Sequence, residues 1–104
     1  MCLVMSGESA FQERVEAAEE SHRLRIVLAR VRLTAEETRA RAEYYCTFEN
    51  TGWDRTAFRI YRAVMAFAEG SYARAATESV RMKYAEVVIA WVECKRSTPA
   101  LCSP

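Results

Sequence analysis

The sequence predicts an all-α fold, a small bundle or kinked helical hairpin of three to four helices that assembles into an oligomer. Three observations carry this expectation: composition, helix-start signals and apolar periodicity. Hydrophobic residues make up 51% of the 104-residue chain and charged residues 28%, with only three Gly and two Pro, which suits helices better than strands and turns. A chain of this length holds one domain with one modest core. The expected organisation is a loose segment over 1–8, a helical domain over 9–96 and a loose tail over 97–104.

The first helix is expected from about Ser9 to Arg32. Ser9-x-x-Gln12 resembles a capping box, and Phe11, Val15, Ala18, His22, Ile26, Ala29 and Leu33 share one face at 100° per residue. Arg23 to Leu28 also alternates like a strand, but the chain offers no second strand for it to pair with. Thr34-x-x-Glu37 marks the start of a second helix, about Ala35 to Glu49. Asn50-Thr51-Gly52 is a turn signal, and Thr51-x-x-Asp54 opens a third helix, about Trp53 to Glu69, with Trp53, Ala57, Ile60, Tyr61, Val64 and Ala68 inward. Gly70-Ser71 either closes that helix and caps a fourth, about Tyr72 to Lys95, or kinks one long helix. The inward stripe expected for the fourth segment is Ala73, Val80, Tyr84, Val87, Val88 and Trp91.

Two of these helices are apolar on a second side. Leu24, Val27, Leu28 and Val31 oppose the inward stripe of the first, and Met82, Ala85, Ile89 and Val92 oppose that of the last. So few helices rarely cover two sides of two others, so these surplus faces are read as an oligomer interface formed by Leu24, Val27, Leu28, Val31, Met82, Ile89 and Val92.

A second candidate site is a row of arginines. Arg55, Arg59 and Arg62 stand at i, i+4 and i+7 and project from one narrow face. Three like charges call for carboxylates, such as Glu43 or Glu49, or for an external anion or acidic protein partner. Tyr61 and Tyr72, with Trp53, are placed to stack on a base near such a row. Glu19 and His22 form a Glu-x-x-His pair one helical turn apart, the half-site of a helical di-metal centre that a dimer would complete. No second such pair exists in the sequence, and no metal ligand or cofactor is assigned.

Several classes are set aside. A net charge of +1 gives no bulk field for nucleic acid or an acidic membrane, although thirteen Arg against two Lys favours local, bidentate recognition of anions. Cys2, Cys46, Cys94 and Cys102 form no C-x-x-C pair, so reduced thiols in the cytoplasm are expected. No window of about 18 residues lacks charges, so no membrane span is expected. The sole histidine has no companion nucleophile in a recognisable motif, and Glu19-Glu20 and Glu36-Glu37 read as helix-surface charges; no catalytic residue is nominated and no enzyme is expected.

Gly52-Trp53 reverses the order found in secreted helical hairpins with a Trp-x-Gly turn, which sets that family aside. Leu33-Thr34-x-Glu36-Glu37-x-x-Ala40-Arg41-x-x-Tyr44 and Glu86-x-x-Ile89-x-Trp91 resemble phage-encoded helical-hairpin counter-defence proteins that sequester cyclic oligonucleotides as sponges. The resemblance implies an oligomer whose Arg and Tyr side chains grip phosphates and bases at subunit interfaces. The sequence departs from that family in lacking a Lys-Thr or Ser-Arg phosphate contact. Size and composition fit small helical phage inhibitors of CRISPR effectors equally. The function expected is therefore a non-enzymatic interaction protein that pairs with itself and sequesters or blocks a partner. The alternatives are a sponge for cyclic or linear nucleotides and a metal-binding helical dimer.

Overall fold

The computed structural model describes residues 3–97, with side chains from Glu8 onward. Two helices account for nearly all of it, α1 (Leu3–Thr51) and α2 (Arg55–Ser97), joined through Gly52, Trp53 and Asp54. The fold is all-α as expected, but the bundle of three to four helices is corrected to a two-helix hairpin. Helix α1 begins at Leu3, within the segment 1–8 expected to be loose, and α2 runs to Ser97. Residues 1, 2 and 98–104, and with them the expected tail beyond Ser97, lie outside the described residues. No helix among the described residues is long and apolar enough to cross a membrane.

Two of the three apparent capping boxes lie inside α1. A hydroxyl residue can cap a helix, but inside one it can also donate to the carbonyl four residues back. Thr47 does so to Glu43 O at 3.0 Å, Thr51 to Thr47 O at 2.8 Å and Thr77 to Ala73 O at 3.0 Å. Thr34 follows Val31-Arg32-Leu33, with no Gly or Pro to end the preceding turn, and the helix continues through it. Gly70 sits within α2, and Ser71 accepts a hydrogen bond from Arg74 Nη2 at 3.3 Å. One internal glycine costs about 1 kcal/mol relative to alanine, too little to break so long a helix.

The connection is where local chemistry breaks the chain. Gly52 has φ +75°, and its N–H donates to Phe48 O at 2.7 Å, closing α1 with a single left-handed residue. Asp54 then caps α2: its Oδ1 accepts from Thr56 N at 2.8 Å and Ala57 N at 3.4 Å. Thr51, expected to cap, is the last residue of α1.

The chain divides into two compact units. In the first, α1 up to Arg25 pairs with α2 from Glu78 onward. Phe11, Val15, Ala18 and His22 meet Ser79, Lys83, Val87, Ala90 and Cys94, all buried or half-buried. The antiparallel register is fixed by the edge-on rings of Phe11 and Trp91, 5.4 Å between centroids, and by an ion pair between Arg14 and Glu93. On the outer surface, Arg23 donates from Nη2 and Nε to the two oxygens of the Glu20 carboxylate, at 2.6 and 2.9 Å; this contact holds the Glu20 carboxyl below its usual range.

The second unit, Ile26–Thr77, contains the connection. Its seam is Ile26, Ala29, Leu33, Glu37, Ala40 and Tyr44 on α1, with Tyr61, Met65, Ala68, Tyr72 and Ala76 on α2. In both units the inward residues advance by four, three and four, a repeat of eleven that keeps 3.67 residues per turn on one face. Alanine or serine recurs at one place of the repeat, as Ala18, Ala29 and Ala40 on α1 and as Ala68, Ser79 and Ala90 on α2. Small side chains there let two helices approach closely.

The inward face expected for the first helix is the one observed. For the last segment it is not: of Ala73, Val80, Tyr84, Val87, Val88 and Trp91, only Val87 lies on the seam. One place in each repeat of the seam selects a small residue, and Val80, Tyr84, Val88 and Trp91 flank the seam. Ile60, Val64 and Trp53, also expected inward, are exposed as well.

Candidate functional site

The row Arg55, Arg59 and Arg62 stands on the first turns of α2, fully on the surface. Over seven residues it spans about 10 Å of helix. Glu43, one of the carboxylates expected to answer it, is paired with Arg39 at 3.4 Å, and Glu49 is exposed without an ion pair among the described residues. None of the three arginines forms an ion pair among the described residues. The Arg62 guanidinium lies 5.9 Å from the Phe58 ring centroid, within cation–π range.

Phe58 belongs to an aromatic cluster beside the connection. Tyr44 is its centre: it stacks on Tyr61 at 5.0 Å and 28°, and meets Phe58 edge-on at 5.9 Å and Tyr45 edge-on at 5.6 Å. Tyr61 is thus near the arginine row as expected, but its ring is half-buried against Tyr44. Tyr72 is not part of this group. It lies thirteen residues beyond Arg59, about 20 Å along the helix, and its hydroxyl accepts from Arg30 Nε at 3.1 Å. Sequence reasoning missed Phe58 and carried Tyr44 only within the family resemblance, although their signal was present: aromatic residues crowd both sides of Gly52, at 44, 45 and 48 before it and at 58 and 61 after it.

Next to the cluster, Ala40, Glu43, Tyr44, Ile60, Tyr61 and Val64 line a cavity of about 140 Å³. Small-molecule pockets usually enclose about 300–1,000 Å³, so this cavity cannot engulf a ligand. The larger space over Val27, Arg30, Val31, Thr34 and Ala35, about 440 Å³, is bounded by α1 alone and is a surface depression. What the arginine row offers is guanidinium groups open to solvent beside an aromatic floor. Guanidinium groups donate hydrogen bonds and accept none, which suits an anion.

A second cluster lies in the seam of the first unit. Ser79 is only 2% exposed; its Oγ accepts from Arg25 Nε at 2.8 Å and lies 2.8 Å from His22 Nδ1, while Arg25 Nη2 reaches the Ser79 carbonyl at 3.3 Å. A serine hydroxyl against an imidazole is the beginning of a nucleophile and base pair. Here the oxygen is enclosed between the helices and already accepts from Arg25, so no substrate reaches it. The three residues form a satisfied polar layer.

His22 therefore faces Ser79, while Glu19 is exposed, and no group of three His, Cys, Asp or Glu side chains among the described residues can hold a metal ion. The expected interface residues Leu24, Val27, Leu28 and Val31 of α1, and Met82, Ile89 and Val92 of α2, are all exposed, Leu28 by 51%. In comparisons with known protein families, with characterised proteins and with solved structures, nothing matches this chain.

Proposed function

We propose that the protein works by association: it is a helical hairpin that pairs with itself in the cytoplasm and sequesters or blocks a partner, without catalysing a reaction. One observation carries this reading. The apolar residues buried in the seams are Ala18, Ala40, Ala68, Ala90 and Cys94, all small, while seventeen large apolar or aromatic side chains among the described residues are exposed. Burying such a side chain completely from full exposure gains about 1.5–3 kcal/mol, and these, roughly half exposed, gain about half of that when covered. These residues fall on several faces of both units, and each such face is a candidate contact surface. A blocker of bacterial immune effectors, as small helical phage inhibitors are, is the form of partner this reading favours.

Light scattering over a range of micromolar concentrations tests it. A mass above one chain is expected, and a mass of one chain throughout overturns the reading.

A second reading, a sponge for cyclic or linear nucleotides, draws support from the arginine row, which has no carboxylate partner among the described residues and whose Arg62 lies over the Phe58 ring. Thermal shift with cyclic and linear nucleotides separates the two, since only the second predicts a rise in melting temperature.

A further inference from the structure

In the first unit, the α2 stretch from Val80 to Val92 carries charge only at Arg81, Lys83 and Glu86 and is apolar on several sides of its axis. Val87 and Ala90 face the seam, while Met82, Ile89 and Val92 point away from it. Val80, Tyr84, Val88 and Trp91, spaced by four, four and three, form a stripe along one flank. A helix that is apolar on several sides is one that is covered on several sides, yet α1 covers a single side of this one. Tyr84 is 67% exposed and Val88 56%; Trp91 stays 40% exposed although Phe11 covers one edge.

The order of sizes along the stripe identifies what covers it. Read forward it is Val, Tyr, Val, Trp; read backward it is Trp, Val, Tyr, Val. Lay two copies antiparallel and Val80 opposes Trp91 of the other chain, while Tyr84 opposes its Val88. At 1.5 Å per residue the opposed levels agree to about 1.5 Å. Every layer then sets one valine against one ring, the alternation of small and large by which facing positions interdigitate. Two-fold symmetry repeats each contact, as a closed dimer requires.

The geometry points to this stripe as the surface that binds a second copy of the chain, α2 against antiparallel α2. This rests on the self-association proposed above and names its surface, one different from the Leu24–Val31 face. The two rings supply roughly 200 Å² per copy, about a quarter of the ~800 Å² per partner of a standard interface, and Tyr and Trp are the residues that dominate such contacts.

Sedimentation equilibrium, with far-UV circular dichroism as a check on helix content, tests the assignment on the full chain. Val88→Arg is expected to reduce the mass to one chain with helix content kept, and Leu28→Asp to leave the assembly intact. Val88→Tyr sets ring against ring and is expected to weaken association by more than about tenfold. The double variant Tyr84→Val/Val88→Tyr restores one small and one large residue per layer and is expected to recover it. That recovery also decides the matter if Val88→Arg fails to fold. Wild-type mass in Val88→Arg, or no recovery in the double variant, overturns the stripe while self-association stands. A wild-type chain that is monomeric at every concentration overturns both.

Discussion

Removing the Ser79 hydroxyl tests whether the polar layer holds the seam together or merely occupies it. Ser79→Ala deletes the acceptor of Arg25 Nε and the partner of His22 Nδ1, both at 2.8 Å. A hydrogen bond to a charged group contributes about 1.5–3 kcal/mol, and a neutral one about 0.5–1.5 kcal/mol. Arg25 and His22 are half-buried, so water can replace part of each, and Arg25 retains the Ser79 carbonyl at 3.3 Å. The expected loss is therefore about 1–3 kcal/mol, not the full sum. For a domain of this size that lowers the melting temperature by about 4–8 °C per kcal/mol. Thermal and urea denaturation should be run at one fixed protein concentration, because association adds to apparent stability. A variant as stable as the wild type would refute the reasoning, and would mean that alanine at 79 simply completes the series Ala68 to Ala90.

Gly52→Ala forces a side chain into the left-handed region at φ +75°, with open space around it, so only the backbone resists; a loss of about 1–2 kcal/mol in denaturant unfolding is expected. Asp54→Ala removes the cap that accepts from Thr56 and Ala57 and should cost about 0.5–2 kcal/mol, with Asp54→Asn or Asp54→Ser recovering most of it in the same assay. Arg59→Ala should leave stability within about 0.5 kcal/mol, since its side chain is exposed. If the row binds an anion, nucleotide affinity in the same variant should fall about ten- to hundredfold by titration; unchanged affinity for a ligand that binds the wild type would remove the row from the site.

The sequence made the helical class and the inward face of α1 legible, because Phe11 through Leu33 repeat at a spacing only a helix satisfies. It did not make the number of helices legible. Thr34 carries the same local signal as a true cap, and only the absence of a breaker before it tells the two apart; at Ser9 the helix continues although Gly7 precedes it. Gly52 with Asp54 succeeds because it supplies both a left-handed residue and a carboxylate for the new helix. The seam of α2 was misjudged for another reason: size was taken as a mark of the interior, while two helices in close contact prefer Ala76, Ser79 and Ala90. That preference is also why the stripe of Val80 to Trp91 stands outside. The Ser79, Arg25 and His22 layer joins residues more than fifty positions apart, beyond the reach of any local motif.

The eleven-residue repeat makes the length of this protein a quantised property. Excising eleven residues from α1, such as 30–40, brings Ala29 directly before Arg41 and leaves every later inward position in phase. Excising 62–72 from α2 does the same for the opposing strand of the hairpin. Each excision removes three turns, about 16.5 Å, from its helix, and the two together keep the remaining seam residues opposite one another. Loss of a single residue instead rotates everything beyond it by about 100° and turns the alanines to water. Viable descendants of such a chain are therefore expected to differ in length by matched steps of eleven, with the connection at Gly52 unchanged, while lone insertions gather at that connection.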